Sequence, residues 1–223
     1  MNTIPATILD DFLPNPNSLR KWALEQKYHT DPKNLWPGKR SEPLHILHPP
    51  LYTYLGVKIL SLFFETLPLN WNAMMHFQLI SNLEGTGWVH QDSGHITSIL
   101  YLTPESNINC GSSLYKPKKT KPHPIMSSQD INSSSGRFDH YKTKKLTPNS
   151  SKTKEKFENE TYEKILDVKD KYNRLFSFSS TDFHSANNYS PQNGEDRLTL
   201  IMFFRNIAHP IGFPIFRSTQ VPI

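Results

Sequence analysis

The spacing of apolar residues changes its period part-way along the chain. In "ILDDFLPNPNSLRKWALEQKY", which starts at Ile8, a Pro/Asn break is followed by Leu19, Trp22, Ala23 and Gln26 at intervals of three and four. That repeat predicts a helix with Leu19 and Trp22 docked on a core. A second helix is predicted between Pro50 and Thr66, where Leu51, Tyr54, Leu55, Ile59, Leu62 and Phe63 recur on one face. The intervening "HTDPKNLWPGKRSEP" carries Pro and Gly throughout and predicts no regular structure. From Met74 the texture differs. The stretches "MMHFQLIS", "HITSILYL", "SSLYKP", "NRLFSFSS" and "RLTLIMFFR" are short, rich in β-branched and aromatic residues, and bounded by Gly, Pro, Asn or Ser. They read as strands with no helical pattern between them, which points to an antiparallel sandwich, jelly roll or barrel.

Composition narrows the picture. At 223 residues and 36% hydrophobic, the chain can bury one sizeable core, so a single decorated domain is expected. One segment departs from this texture: Lys116 to Lys171 is rich in Lys, Ser and Thr and poor in large apolar residues, an insertion of loop-like composition with one short helix near Tyr162 to Val168. The same segment holds 14 of the 25 Lys/Arg and 8 of the 20 Asp/Glu, so the formal charge of +5 belongs to it and the remainder is close to neutral. The expected division is helical support over 1–73, a β core over 74–116 and 172–206, the Lys/Ser-rich insertion over 117–171, and an extended tail over 207–223. Cys110 is the sole cysteine, which excludes an internal disulfide and fits a reducing compartment. The start has no basic-then-apolar leader and no apolar run is long enough to span a bilayer, so a soluble, cytoplasmic protein is expected.

Candidate chemistry lies in "GWVHQDSGHITSILYL". His90 and Asp92 are one residue apart, which sends both side chains to the same side of an extended chain. An imidazole and a carboxylate sharing one ion suit a divalent first-row metal of the iron type. A third ligand must come from elsewhere, and His184 is the candidate because it ends the apolar stretch "NRLFSFSSTDFH". Thirteen residues later Arg197 opens "RLTLIMFFR". A hairpin from His184 to Arg197 would return the arginine beside the ion with its fork aimed inward, suited to a bidentate carboxylate. Alternation in "HITSILYL" puts Ile96, Ser98, Leu100 and Leu102 on one face and His95, Thr97, Ile99 and Tyr101 on the other. His95 therefore reads as a cavity-lining or satisfied polar residue, His45, His48 and His76 as structural or exposed, Trp88 as packing, and Cys110 as inert.

His90-x-Asp92, the distal His184 and Arg197-x-Thr199 together resemble the 2-oxoglutarate and iron(II)-dependent dioxygenase superfamily, in its prolyl-hydroxylase-like branch, as a small microbial or viral member. "GTGWVHQD", "SILYLTPE" and "GSSLYKP" are similar to that branch in order, so the resemblance covers roughly residues 74–116 and 172–206. It implies a mainly β fold, a double-stranded β-helix (jelly roll, cupin-like) core with N-terminal packing helices. It implies Fe(II) on His90, Asp92 and His184, with 2-oxoglutarate as co-substrate, O2 as oxidant and ascorbate as a stimulant. It further implies that Arg197 pairs with the distal carboxylate of 2-oxoglutarate, that Tyr101 and Thr199 accompany it, and that Gln78 and Asn82 contact the co-substrate. The implied reaction is hydroxylation of a small molecule or a protein side chain with release of succinate and CO2. The 94-residue separation of His90 from His184 exceeds that of compact members, and the insertion accounts for the excess.

Two other classes compete. One is a non-catalytic jelly-roll module that contacts nucleic acid through the basic insertion, although its aromatics, chiefly Phe138, Tyr141, Phe157 and Tyr162, are not regularly interleaved for base stacking. The other is a zinc hydrolase on the same ligands, which lacks a nearby Glu base and leaves Arg197 without a task.

Overall fold

A computed structural model describes residues 4–32, 36–64, 70–81, 87–104, 110–118, 160–189 and 196–208. Helices form where the sequence can cap them. α1 (Pro16–Leu24) starts behind Asn15, whose side chain accepts a hydrogen bond from Ser18 N at 3.2 Å, and Pro16 fills a first-turn position that needs no N–H partner. After the single turn α2 (Leu44–Leu47), α3 (Pro49–Leu60) repeats the device, with His48 Nδ1 accepting from Leu51 N at 3.1 Å and Pro49 following. Gly56 of α3 is required by packing, since a Cβ there would meet the Trp71 ring at 2.0 Å. Among the described residues no helix is long and apolar enough to cross a membrane.

The described strands are β1 (Thr7–Leu9), β2 (Tyr28–His29), β3 (Lys39–Ser41), β4 (Asn70–Ile80), β5 (Ile96–Tyr101), β6 (Gly111–Pro117), β7 (Tyr162–Lys169), β8 (Leu175–Ser179), β9 (Phe183–Ala186) and β10 (Arg197–Ala208). They make a seven-stranded sheet in the order β1-β8-β5-β10-β4-β3-β2 and a three-stranded sheet in the order β7-β6-β9, with antiparallel pairings throughout. Leu19 and Ala23 of α1 and Leu55, Ile59 and Leu60 of α3 cluster with Met75, Phe77, Leu100, Leu198, Leu200, Met202 and Phe204. Burial of each large apolar side chain contributes about 1.5–3 kcal/mol, so this layer fixes the helices to the outer face of the larger sheet. Tyr101, Phe176 and Phe178 turn the other way and meet Leu114 and Val168 of the smaller sheet. The result is the expected mainly β jelly roll, with packing helices outside and the inter-sheet space within.

Three local expectations are corrected. Residues Tyr162 to Val168 are not helical but form β7, because their backbone pairs with β6 from Gly111↔Lys169 to Pro117↔Tyr162. The stretch 29–43 is not wholly irregular: β3 lies inside it and extends the larger sheet through Lys39↔Leu79 and Arg40↔Gln78. Finally, no hairpin joins His184 to Arg197. β9 pairs with β6 in the smaller sheet, whereas β10 lies between β5 and β4 in the larger one. The expected disposition of residues 119–159 and of the tail 209–223 falls outside the described residues.

One glycine sets the edge of the inter-sheet space. Gly111 has φ +134, and a Cβ there would lie 2.0 Å from Val168 O. Its absence lets the end of β7 close on the start of β6, and Asp170 N then donates to Cys110 O at 3.0 Å.

Candidate metal centre

His90 and His184 come from segments far apart in sequence and meet in one antiparallel bridge. His90 N donates to His184 O at 3.0 Å and His184 N to His90 O at 2.8 Å. The two rings lie 4.4 Å apart between centroids. Asp92 is held beside them by its own N–H, which donates to Ser180 O at 2.8 Å. The ligand atoms of His90, Asp92 and His184 all lie within 4.8 Å of one another, with His184 Nε2 3.0 Å from Asp92 Oδ2 and His90 Nε2 3.7 Å from Asp92 Oδ1.

The protonation pattern follows from the neighbours. His90 Nδ1 is 2.6 Å from Trp88 O, and His184 Nδ1 is 2.8 Å from Asp182 O. A carbonyl oxygen only accepts, so each Nδ1 donates to its carbonyl and each Nε2 is left on the side of Asp92. This is the outer support that metal-binding imidazoles use to fix ring and tautomer. Thr97 Oγ1 adds to it, donating to Asp92 Oδ2 at 3.1 Å while lying 3.0 Å from Ser180 Oγ. Two imidazole Nε2 atoms and one carboxylate on a single side of a cavity are a donor set that fits a divalent first-row metal.

That cavity, about 120 Å³, is walled by both sheets. His90, Asp92, His184, Gln78, Arg197 and Thr199 all line it. Arg197 is 4% exposed, donates from Nε to Asp170 Oδ2 at 3.1 Å, and has its guanidinium carbon 5.5 Å from the Tyr101 ring centre. Burial alone would lower the Arg197 pKa, but the facing Asp170 carboxylate overrides it and holds the group above its ordinary value, so Arg197 is a permanent cation. Tyr101 stands just behind the wall: its hydroxyl donates to Ser112 Oγ at 3.1 Å, and Ser112 lines the cavity. Burial raises the Tyr101 pKa well above the usual phenol value, which keeps the hydroxyl protonated. Gln78 Nε2 donates to Pro37 O at 2.6 Å. Asn82 lies outside the described residues. His95 does not line the cavity, and Trp88 is buried.

Several site residues were not among the expected ones. Asp170 sits in the charge-rich run "DVKDK", where nothing in spacing separates a buried partner from solvated neighbours. Trp36 and Arg40 line the cavity from a stretch whose Pro and Gly content argued for a loop. Thr97 had a signal, since strand alternation already put it on the face of His95 and Tyr101.

A family model described as a family of unknown function (DUF6445) matches residues 1–204. No curated protein matches the chain. Among solved structures, HygX from Streptomyces hygroscopicus, determined with nickel and 2-oxoglutarate bound, is similar with a TM-score of 0.55 at 12% identity, over 90% of this chain and 82% of that one. The non-heme alpha ketoglutarate dependent epimerase SnoN from nogalamycin biosynthesis is similar with a TM-score of 0.51 at 9% identity, over 98% and 85% of the two chains. A Pseudomonas putida prolyl-4-hydroxylase shares 15% identity over 90% of this chain and 92% of that one, with a TM-score of 0.47. The likeness to HygX and SnoN, at these identities, is one of fold: the jelly roll described above is the fold of 2-oxoglutarate and iron(II) oxygenases. The family match runs from the N-terminal strand through the three helices and both sheets to the cavity-lining part of β10, and on that extent the chain belongs to the DUF6445 family.

Proposed function

We infer that the protein is an Fe(II)- and 2-oxoglutarate-dependent oxygenase that hydroxylates a small-molecule or side-chain substrate, with release of succinate and CO2. The observation that carries the reading is the triad itself: two imidazoles with their Nε2 atoms turned toward one carboxylate, the ligand atoms within 4.8 Å, on the wall of a cavity that also holds a buried cation. His90, Asp92 and His184 would hold the metal. Iron bound there supplies oxygen activation coupled to decarboxylation of the 2-oxo acid, the hard chemistry that a side chain cannot perform.

The chain's own groups do the remaining work. Arg197, with Nε committed to Asp170, keeps its Nη groups for the distal carboxylate of 2-oxoglutarate, a charge-assisted pair at a buried position. Thr199 lies beside Gln78 in the ladder and both face the same space, so they orient that carboxylate by hydrogen bonding. Ser112, tied to the Tyr101 hydroxyl, closes the opposite wall. Apolar Ile99 and Ile201 exclude water from the stretch between the cation and the triad. Asp92 would give the metal a carboxylate ligand where an open position could instead admit an external anion, a donor set that suits hydroxylation.

The test is succinate formation from 2-oxoglutarate by the purified chain with Fe(II), together with calorimetric binding of Zn(II) and then of 2-oxoglutarate. His90→Ala is expected to abolish both the turnover and the metal binding, and Arg197→Met to spare the metal while weakening 2-oxoglutarate by two orders of magnitude or more. A parent protein that binds neither metal nor 2-oxoglutarate, or a His90→Ala variant that behaves like the parent, refutes the reading.

A further inference from the structure

The cavity has a second end that the chemistry above does not use. Arg197, Thr199, Ile201 and Phe203 follow one another along the inner face of β10, roughly 6.6 Å apart from one to the next. Arg197 marks one end. Phe203 marks the other, because it stands opposite Thr97, whose hydroxyl holds the Asp92 carboxylate. A dicarboxylate running from the triad to Arg197 lies along Thr199 and Ile201 and leaves the Phe203 side for another molecule.

Arg40 and Trp36 form that side. Arg40 reaches in from β3, next to Gln78, and its guanidinium carbon lies 4.3 Å from the centre of the Trp36 ring and 5.8 Å from that of Phe203. Trp36 also lines the cavity, and its Nε1 is buried with no hydrogen-bond partner among the described residues. A buried donor left unpaired carries a desolvation penalty, which an acceptor reaching this corner would relieve. Stacking on the indole holds the guanidinium in one plane and reduces what its side chain must lose in freedom when it binds. The guanidinium and the indole N–H both donate and neither accepts, so the corner selects an oxygen-rich anion over an amine.

We propose that the Trp36–Arg40 corner binds an oxyanion of the primary substrate, a carboxylate or a phosphate ester, and thereby lays the adjoining aliphatic carbons against Ile99, Ile201 and Phe203 beside the triad. The proposal rests on the oxygenase reading for what is then done to those carbons. The anion selectivity belongs to the corner alone.

Trp36 reports on its own occupancy. The chain has 4 tryptophans, each giving one indole N–H resonance, and Trp36→Phe assigns the relevant one. Protein loaded with Zn(II) and 2-oxoglutarate is titrated with butyrate, butyl phosphate and butyramide, which share an alkyl chain and differ in head group. The expected result is a saturable shift of the Trp36 resonance with at least one anion and binding at least tenfold weaker for butyramide. The tighter of the two anions identifies the oxyanion. Arg40→Gln is expected to weaken that anion at least tenfold, with partial recovery in Arg40→Lys. Butyramide binding as well as the anions, a Trp36 resonance that neither anion moves, or parent-like anion affinity in Arg40→Gln would each overturn the proposal. The comparison of head groups on the parent protein stands even if a variant fails to fold. Calorimetry on the same samples separates the two readings: loss of Zn(II) and 2-oxoglutarate binding sinks the oxygenase assignment, whereas intact binding of both with a silent Trp36 sinks only this one.

Discussion

Asp170→Asn is the sharpest perturbation available to the site. Arg197 and Asp170 form a pair with side-chain exposures of 5% and 0% and an Nε–Oδ2 distance of 3.1 Å. The substitution preserves shape and removes only the charge, so Arg197 must remain buried opposite a neutral amide. Breaking a buried ion pair from one side costs about 3–5 kcal/mol, because the surviving charge loses its compensation while keeping its desolvation. For a chain of this size each kcal/mol moves the melting temperature by about 2–4 °C, so the expected fall is roughly 6–20 °C. Replacing both partners, Arg197→Met with Asp170→Leu, removes both desolvation penalties together and is expected to recover most of the loss while still failing to bind 2-oxoglutarate. The assay is urea denaturation of the parent, the single and the double variant, followed by circular dichroism and by tryptophan fluorescence. If Asp170→Asn unfolds within about 1 kcal/mol of the parent, Arg197 is compensated by something other than Asp170 and this account of the buried cation is wrong.

Three further predictions concern the parts that hold the site in place. Thr97→Val is close to isosteric and removes the donor to Asp92 Oδ2, so metal affinity read by Co(II) titration is expected to fall about 10–100-fold; unchanged affinity would show that Asp92 needs no such support. Gly111→Ala puts a Cβ 2.0 Å from Val168 O at a φ of +134, and is expected to cost at least about 1–3 kcal/mol, with faster amide exchange concentrated in β6 and β7. A parent-like melting curve for that variant contradicts the close approach. Burial lowers the pKa of His76, whose Nδ1 lies 2.9 Å from Ser41 O. A histidine depressed in the folded state binds its proton more readily when unfolded, so its contribution is present above the ordinary value of about 6.5 and is lost as pH falls below it. Unfolding free energies between pH 5 and 8 are therefore expected to slope less in His76→Gln than in the parent, and equal slopes assign the pH dependence elsewhere.

What was legible in the chain follows the period of its side chains. Leu19, Trp22 and Ala23 at helical spacing, and the alternation from Ile96 to Leu102, report burial on one face, and both faces came out as read. His90, Asp92, His184 and Arg197, singled out by residue type, line one cavity. The route by which they meet was not legible. His184 and Arg197 reach the cavity from different sheets, and local spacing carries no record of which sheet a strand joins. β7 hid for a related reason: it is an edge strand with exposed Glu163, Lys164 and Ile165, so its inward side chains are few and its polar content mimics a loop. Asp170 was invisible because its role depends on a partner 27 positions away.

The twelve residues of β10 serve two masters. Leu198, Leu200, Met202 and Phe204 belong to the helix-covered core, while Arg197, Thr199, Ile201 and Phe203 belong to the cavity. A slip of one position in its pairing would drive a guanidinium into the oily layer and hand the cavity a row of large apolar side chains, so correct folding and an intact cavity are one event for this strand. Ile201 and Phe203 can be exchanged to suit a new guest without touching the scaffold, but no insertion or deletion between Arg197 and Phe204 can be absorbed by either side, and the ladder with β4 shifts register only beyond Arg205.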